Sequence, residues 1–159
     1  MKLIFLDVDG VLNNTQNIKK YRLFFRGKRR LLVDSKPFYC FKKLLKEIEK
    51  NNMDVKIVIS SSWRVGSIPA DWKKLFLHYF NNPEIVKGRT PYLYKDRGIE
   101  ILDLLEIAKE KGDMIDDYIV LDDDIEDIIN HINPNKVLKI NRRYGLTNAD
   151  IEQILKKLE

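Results

Sequence analysis

Two hydrophobic patterns alternate along the chain. Short, mainly apolar runs occur at residues 2–7 (KLIFLD), 55–59 (VKIVI), 118–121 (YIVL) and 136–140 (KVLKI). Runs of this length and character suit strands buried on both faces of a sheet. Longer stretches with apolar residues every three or four positions lie between them. The spacing predicts a helix from Ser35, with Ser35 as N-cap, Pro37 in the first turn, Leu44, Leu45 and Ile48 on one side, and Asn51–Asn52 as its end. A second helix is predicted over Pro69–Phe80, with Trp72, Leu75, Phe76 and Tyr79 inward. A third is predicted over about 98–111, stopping at Gly112 and apolar around so much of its circumference that it should be largely buried. A last helix follows Thr147, with Asp150 as the reciprocal capping residue.

Residues 13–34 fit neither period cleanly. Apolar residues flank Gly27 on both sides, as in a hairpin-like excursion. Within the turn-rich stretch 81–98, only Ile85–Val86 suggests a short strand. Strands alternating with helices imply right-handed crossovers and a mostly parallel sheet with helices on both faces, an α/β fold of three layers. No repeat, low-complexity tract or linker divides the chain, so residues 1–159 are expected to form a single domain.

Composition narrows the picture modestly. The chain has 159 residues, 44% apolar and 33% charged, which is ample for one hydrophobic core. No apolar stretch has the length of a membrane span, and Asp7 interrupts the N-terminal run before it could serve as a signal-peptide core. A cytoplasmic location without membrane attachment is therefore expected. Cys40 is the lone cysteine, which excludes an internal disulfide, and its apolar neighbours suggest a buried position. The two histidines, His78 and His131, lack metal-ligand spacing. The formal net charge of +5 favours anionic partners. That charge is unevenly spread: residues 19–30 (KKYRLFFRGKRR) contain no acid, whereas acids gather in 113–127. No feature calls for an obligate protein partner.

The chemistry is concentrated at strand ends. Three apolar runs finish in small or acidic polar residues: IFLDVD, IVISSS and IVLDDD. In open parallel sheets the ligand crevice lies outside the carboxyl ends of the strands, so the topology should gather Asp7, Asp9, Ser60 and Asp122–Asp123. Strand alternation lets Asp7 and Asp9 face one side while Val8 packs the other way, and Gly10 permits a tight turn. Carboxylates crowded in one crevice raise one another's pKa unless a cation neutralises them. An oxygen-only donor set suits Mg²⁺.

DVDGVLN, then ISSSWR, then DRGIEIL, then YIVLDDD resemble the motifs of the haloacid dehalogenase (HAD) superfamily of phosphotransferases, in that family's order and across nearly the whole chain. The resemblance implies a Rossmann-like HAD fold and residue roles. Asp7 resembles the nucleophile that forms an aspartyl-phosphate, and Asp9 the general acid and base. Ser60 resembles the phosphate-binding hydroxyl, with Ser61 offering its backbone N–H. Arg97 resembles the cation that steadies the phosphoryl group, Lys95 competing for that role. Asp122 and Asp123, with Asp7 and the backbone carbonyl of Asp9, resemble the Mg²⁺ ligands. Receiver domains use similar parts, but there the acidic pair comes first and the lone aspartate later, the reverse of the order here.

Substrate choice in this superfamily usually comes from cap insertions. Residues 13–34 are too few for a folded cap domain, so a minimal cap and an open crevice are expected, tolerant of large substrates such as polynucleotide ends. Basic residues of 19–30, Arg26, Arg29 and Arg30 among them, interleave with aromatics as in backbone-tracking segments, although a solvated hairpin has the same composition. Arg64, directly after the serines, and Trp63 are further candidates for substrate contact. LDVDGVLN, SSSWR and LDDD also resemble HAD domains of RNA-repair and polynucleotide end-healing proteins. A phosphate-binding G-x-x-x-x-G-K-S/T loop is absent, which leaves a 5′-kinase activity unsupported. The expected activity is Mg²⁺-dependent hydrolysis of a nucleotide or nucleic-acid end phosphate. The alternatives are a small-metabolite phosphatase and a nucleic-acid-binding module with little turnover.

Overall fold

Each apolar run becomes a strand whose side chains divide between two cores. In β1 (Lys2–Leu6), Leu3 and Phe5 point to one face while Ile4 and Leu6 point to the other, all buried. The computed structural model describes the backbone of residues 1–15, 20–25 and 29–159, and side chains outside 16–33. Within it, β2 (Lys20–Phe25) and β3 (Arg29–Asp34) form an antiparallel pair. Then come α1 (Ser35–Lys50), β4 (Val55–Ile59), α2 (Pro69–Phe80) and β5 (Val86–Arg89). The chain continues through α3 (Arg97–Glu110), β6 (Asp117–Asp122), the single-turn α4 (Glu126–Ile129), β7 (Val137–Lys139) and α5 (Asn148–Leu158).

Five parallel strands make one sheet in the order β5-β4-β1-β6-β7. The chain builds outward from β1 in one direction, then crosses back to β6. That reversal makes the gap between β1 and β6 the switch point where ligands bind in doubly wound sheets. Helices α1, α2 and α5 bury Phe41, Leu44, Trp72, Phe76, Ile151 and Ile154 on the face that receives Ile4 and Leu6. On the opposite face Ile101 of α3 and Ile128 of α4 meet Leu3, Phe5 and Val120. Each such fully buried side chain stabilises the fold by about 1.5–3 kcal/mol. Cys40 lies in the first of these cores.

Of the excursion expected over 13–34, the described part consists of the β2–β3 pair and the residues that flank it. The excursion closes on itself, because the Asp34 N–H donates to the Leu12 carbonyl at 3.0 Å. Arg26 lies outside the described residues, as do the side chains of Arg29 and Arg30. Two local expectations need correction. Asp34, not Ser35, caps α1: its carboxylate accepts from the Lys36 N–H at 3.2 Å, and Ser35 is already helical. Helix α3 is less buried than its composition suggested. Leu102 and Ile107 are exposed, because among the described residues its face of the sheet carries only the short α4 beside it, whereas the other face carries the longer α1, α2 and α5. The Thr147–Asp150 capping box is present as expected. Among the described residues no helix is long and apolar enough to cross a membrane.

Candidate active site

Three strands deliver the acidic and hydroxyl groups to one edge. Asp7 follows β1, Asp122 ends β6, and Asp123 begins the next turn. One carboxylate oxygen from each of these residues lies within 4.8 Å of the other two, across the switch point. Gly10 makes the approach of Asp123 feasible. Its φ of +74° is a conformation that suits glycine, and a Cβ there would stand 2.3 Å from the Asp123 carboxyl carbon.

Arg97, the first residue of α3, is the cation nearest Asp7 and Asp122. Its guanidinium donates to Asp122 Oδ2 at 2.7 Å and to the Ser60 carbonyl at 2.8 Å, and stands 3.5 Å from Asp7 Oδ1. Asp127 fixes the base of that side chain by accepting the Arg97 backbone N–H at 2.9 Å. Between the two cations considered, the structure brings Arg97 to the carboxylates. Lys95 is half exposed and its nearest acidic partner is Asp103, 4.0 Å away.

Arg97 and, beside Asp123, Arg142 leave the three carboxylates one positive charge short, and burial sharpens the imbalance. Burial pushes the Asp7 carboxyl up to about 6, with Asp123 adding to the rise; Arg97, the Ser61 hydroxyl and the Val8 N–H pull it down. Burial and then the Asp7 charge raise Asp122 to about 7, against the opposing pull of Arg97. A buried pair of carboxylates, Asp7 and Asp122, that resists ionising together, with Asp123 beside it, is a donor set that a divalent cation would satisfy. The donors present thus fit a metal ion.

Asp9 departs from the expected alternation. The chain leaves the strand after Leu6 and turns, with the Leu12 N–H returning to the Val8 carbonyl at 2.8 Å. Val8 packs into the core as expected, but the Asp9 carboxylate is exposed and outside the acidic trio. Two side chains hold it. The Trp63 indole N–H donates to Asp9 Oδ2 at 3.1 Å, and the Asn13 amide donates to Oδ1 at 2.8 Å. Asn13 also accepts the Gly10 N–H at 2.7 Å, so it ties the carboxylate to the turn that carries it.

The two serines have different surroundings. The Ser61 hydroxyl hydrogen-bonds Asp7. The Ser60 hydroxyl is buried and has no hydrogen-bond partner among the described residues. Arg64 is likewise not a surface group. It is buried, paired with Glu100, and donates to the Ser61 carbonyl at 2.8 Å and the Pro91 carbonyl at 3.4 Å. Those contacts make it a brace between the serine loop and α3.

Sequence reasoning passed over three groups at the site: Asn13, Glu100 and Arg142. Arg142 donates to Asp123 Oδ2 at 2.8 Å, and the Thr15 N–H donates to its carbonyl at 3.0 Å. It follows the last sheet strand, so the strand-end rule that found Asp7 and Asp122 also reaches it. Glu100 carried no such signal, since a lone glutamate on a helix ordinarily reads as solvated.

A parallel sheet of this order, with an acidic trio and arginines at its switch point, fits a HAD-type hydrolase domain. The chain belongs to the family described as the HAD domain in Swiss Army Knife RNA repair proteins, which it matches over residues 3–151. No curated protein and no solved structure gives a significant match.

Proposed function

We propose that the protein is a Mg²⁺-dependent phosphomonoester hydrolase that works through an aspartyl-phosphate on Asp7 and takes nucleic-acid end phosphates. The observation that carries this reading is the setting of Asp7, buried between Arg97, the Ser61 hydroxyl and the acidic pair. Family membership supports the choice of a nucleic-acid substrate. Asp7, Asp122 and Asp123 would hold the cation, with the Asp9 backbone carbonyl as a fourth donor. When bound, it supplies positive charge that offsets the repulsion between a carboxylate and a phosphate dianion.

The protein's own groups then divide the reaction into two displacements. An Asp7 oxygen attacks phosphorus, the bond from phosphorus to the ester oxygen breaks, and Asp9 gives that oxygen its proton. In the second step Asp9 takes a proton from water as the water oxygen attacks phosphorus, and the bond to Asp7 breaks to release inorganic phosphate. Arg97 stabilises the charge on the transferring group. Ser60, through its hydroxyl, and Ser61, through its hydroxyl and backbone N–H, orient the phosphate. Trp63 and Asn13 hold Asp9 over the leaving oxygen. Trp63→Phe, which deletes the indole donor and keeps the ring, should lower kcat by about tenfold or more, within the usual range for general acid catalysis. It should leave KM little changed; an unaltered kcat would remove Trp63 from this role.

A panel of 3′- and 5′-phosphorylated oligonucleotides, mononucleotides and sugar phosphates tests the substrate class. Oligonucleotide ends should give the highest kcat/KM. A sugar phosphate ranked first would replace this reading with a metabolite phosphatase.

The raised carboxyl pKa values also predict how stability responds to pH and metal. Unfolded aspartates titrate near about 3.9, so between roughly pH 4 and 7 the metal-free folded protein holds more protons than the unfolded chain. Stability from Asp7 and Asp122 is therefore present below about pH 4 and lost as pH rises through about 6 to 7. Added Mg²⁺ should raise the melting temperature much more near about pH 8 than near about pH 5. Thermal unfolding with chelator and with Mg²⁺ at both pH values checks this, and equal shifts would contradict it.

A further inference from the structure

The loop between β5 and Arg97 leaves the same sheet edge as the acidic trio and carries two tyrosines that the chemistry above does not use. Tyr94 is 87% exposed, yet its backbone has φ of +56°, a conformation that a bulky side chain adopts at an energetic cost. Its own burial gives nothing back. The ring lies 4.4 Å, centroid to centroid, from that of Tyr92, which is also exposed.

The loop that presents this pair is held from beneath. The Leu93 N–H donates to Glu100 Oε1 at 2.8 Å, and the Pro91 carbonyl accepts from Arg64. Arg64 lies 5.4 Å under the Tyr92 ring, a cation–π distance, while another of its nitrogens donates to the Ser61 carbonyl. The Ser61 hydroxyl in turn touches Asp7. A continuous set of contacts thus runs from the Tyr92 ring through Arg64 and Ser61 to Asp7. The tyrosines stand on a loop that leads into Arg97 and is pinned by a buried ion pair.

We propose that Tyr92 and Tyr94 form a stacking platform for the nucleobase adjacent to the bound phosphate. This rests on the reading of the site as one for nucleic-acid end phosphates and names the residues that recognise the base. A flat aromatic ring joined to phosphate through a sugar fits an exposed aromatic surface beside a phosphate site, and base–tyrosine stacking tolerates any sequence. Strain at Tyr94 and rigid bracing of its loop are what such a platform requires: the face is preorganised before the base arrives.

The test is binding rather than turnover. The whole protein is titrated into a single-stranded, hydroxyl-ended oligonucleotide bearing terminal 2-aminopurine, whose fluorescence falls on stacking. Quenching is expected for the natural protein and for Tyr94→Phe. Tyr94→Ala should bind about tenfold more weakly, and an oligonucleotide with an abasic end should bind Tyr94→Ala and the natural protein alike. Phosphate release from glycerol phosphate, which has no ring, should be unchanged in Tyr94→Ala. Absence of quenching, or equal loss on base-bearing and abasic ends, overturns the platform. So does self-association through the tyrosines without base-dependent quenching. Quenching without any phosphate release would instead overturn the hydrolase reading, so the two failures are separable.

Discussion

Asp7→Asn is expected to reduce Mg²⁺-dependent phosphate release by about 10⁴-fold or more, the scale on which loss of a nucleophile acts. It should do so without loss of fold. The carboxylate is buried beside Asp122 and held against its own preference to ionise, so an isosteric amide relieves repulsion. At about pH 8 without metal, the variant should melt at or above the temperature of the natural protein. Activity lost while stability is kept or gained is the signature of a site that trades stability for chemistry. Turnover assays beside thermal unfolding read both quantities, and undiminished turnover would remove Asp7 as the nucleophile.

The largest effect on stability should come from Glu100. The Arg64–Glu100 pair is buried, with side-chain exposures of 4% and 1%. Burial pushes the Arg64 pKa down while Glu100 pulls it back up. Glu100→Ala leaves that guanidinium without its charge partner in the interior, which costs about 3–5 kcal/mol. In urea, the midpoint should fall correspondingly. Replacing both residues with apolar ones of similar volume, Arg64→Met with Glu100→Leu, should recover most of the loss, since a matched apolar pair is often as stable as a buried ion pair. The double variant would still lack the anchors of the Leu93 N–H and the Ser61 carbonyl. Its activity should therefore stay low although its stability returns. A cost below about 1 kcal/mol for Glu100→Ala would contradict the brace.

These residues also mark where sequence reasoning reached and where it stopped. The strands, and the polar residues just beyond them, were legible because a doubly buried strand needs an unbroken apolar run and a functional edge needs polar groups immediately after it. Asp7, Asp122, Asp123 and Arg97 follow from that rule together with the HAD resemblance. What sequence does not carry is the direction of a side chain once the chain leaves regular structure. Asp9 lies beyond the last residue of β1, in a turn that aims it at Trp63 and Asn13. Ser60 and Ser61 are adjacent hydroxyls that only the exit angle of β4 distinguishes. Arg64 reads as a surface arginine until Glu100, 36 positions later, is seen to lie against it. The burial of α3 was overestimated for a related reason: composition reports how apolar a helix is, not how many neighbours its face of the sheet supplies.

The central claim is covalent catalysis at Asp7, and trapping the intermediate tests it most directly. Turnover of a 3′-phosphorylated oligonucleotide with Mg²⁺ is quenched, the mixture is reduced with borohydride, and the peptides are mapped by mass. An acyl phosphate on Asp7 is reduced to an alcohol, so the peptide containing residues 3–12 should carry the modification at Asp7, and Asp7→Asn should show none. Modification at another carboxylate, or none during sustained phosphate release, would contradict the account.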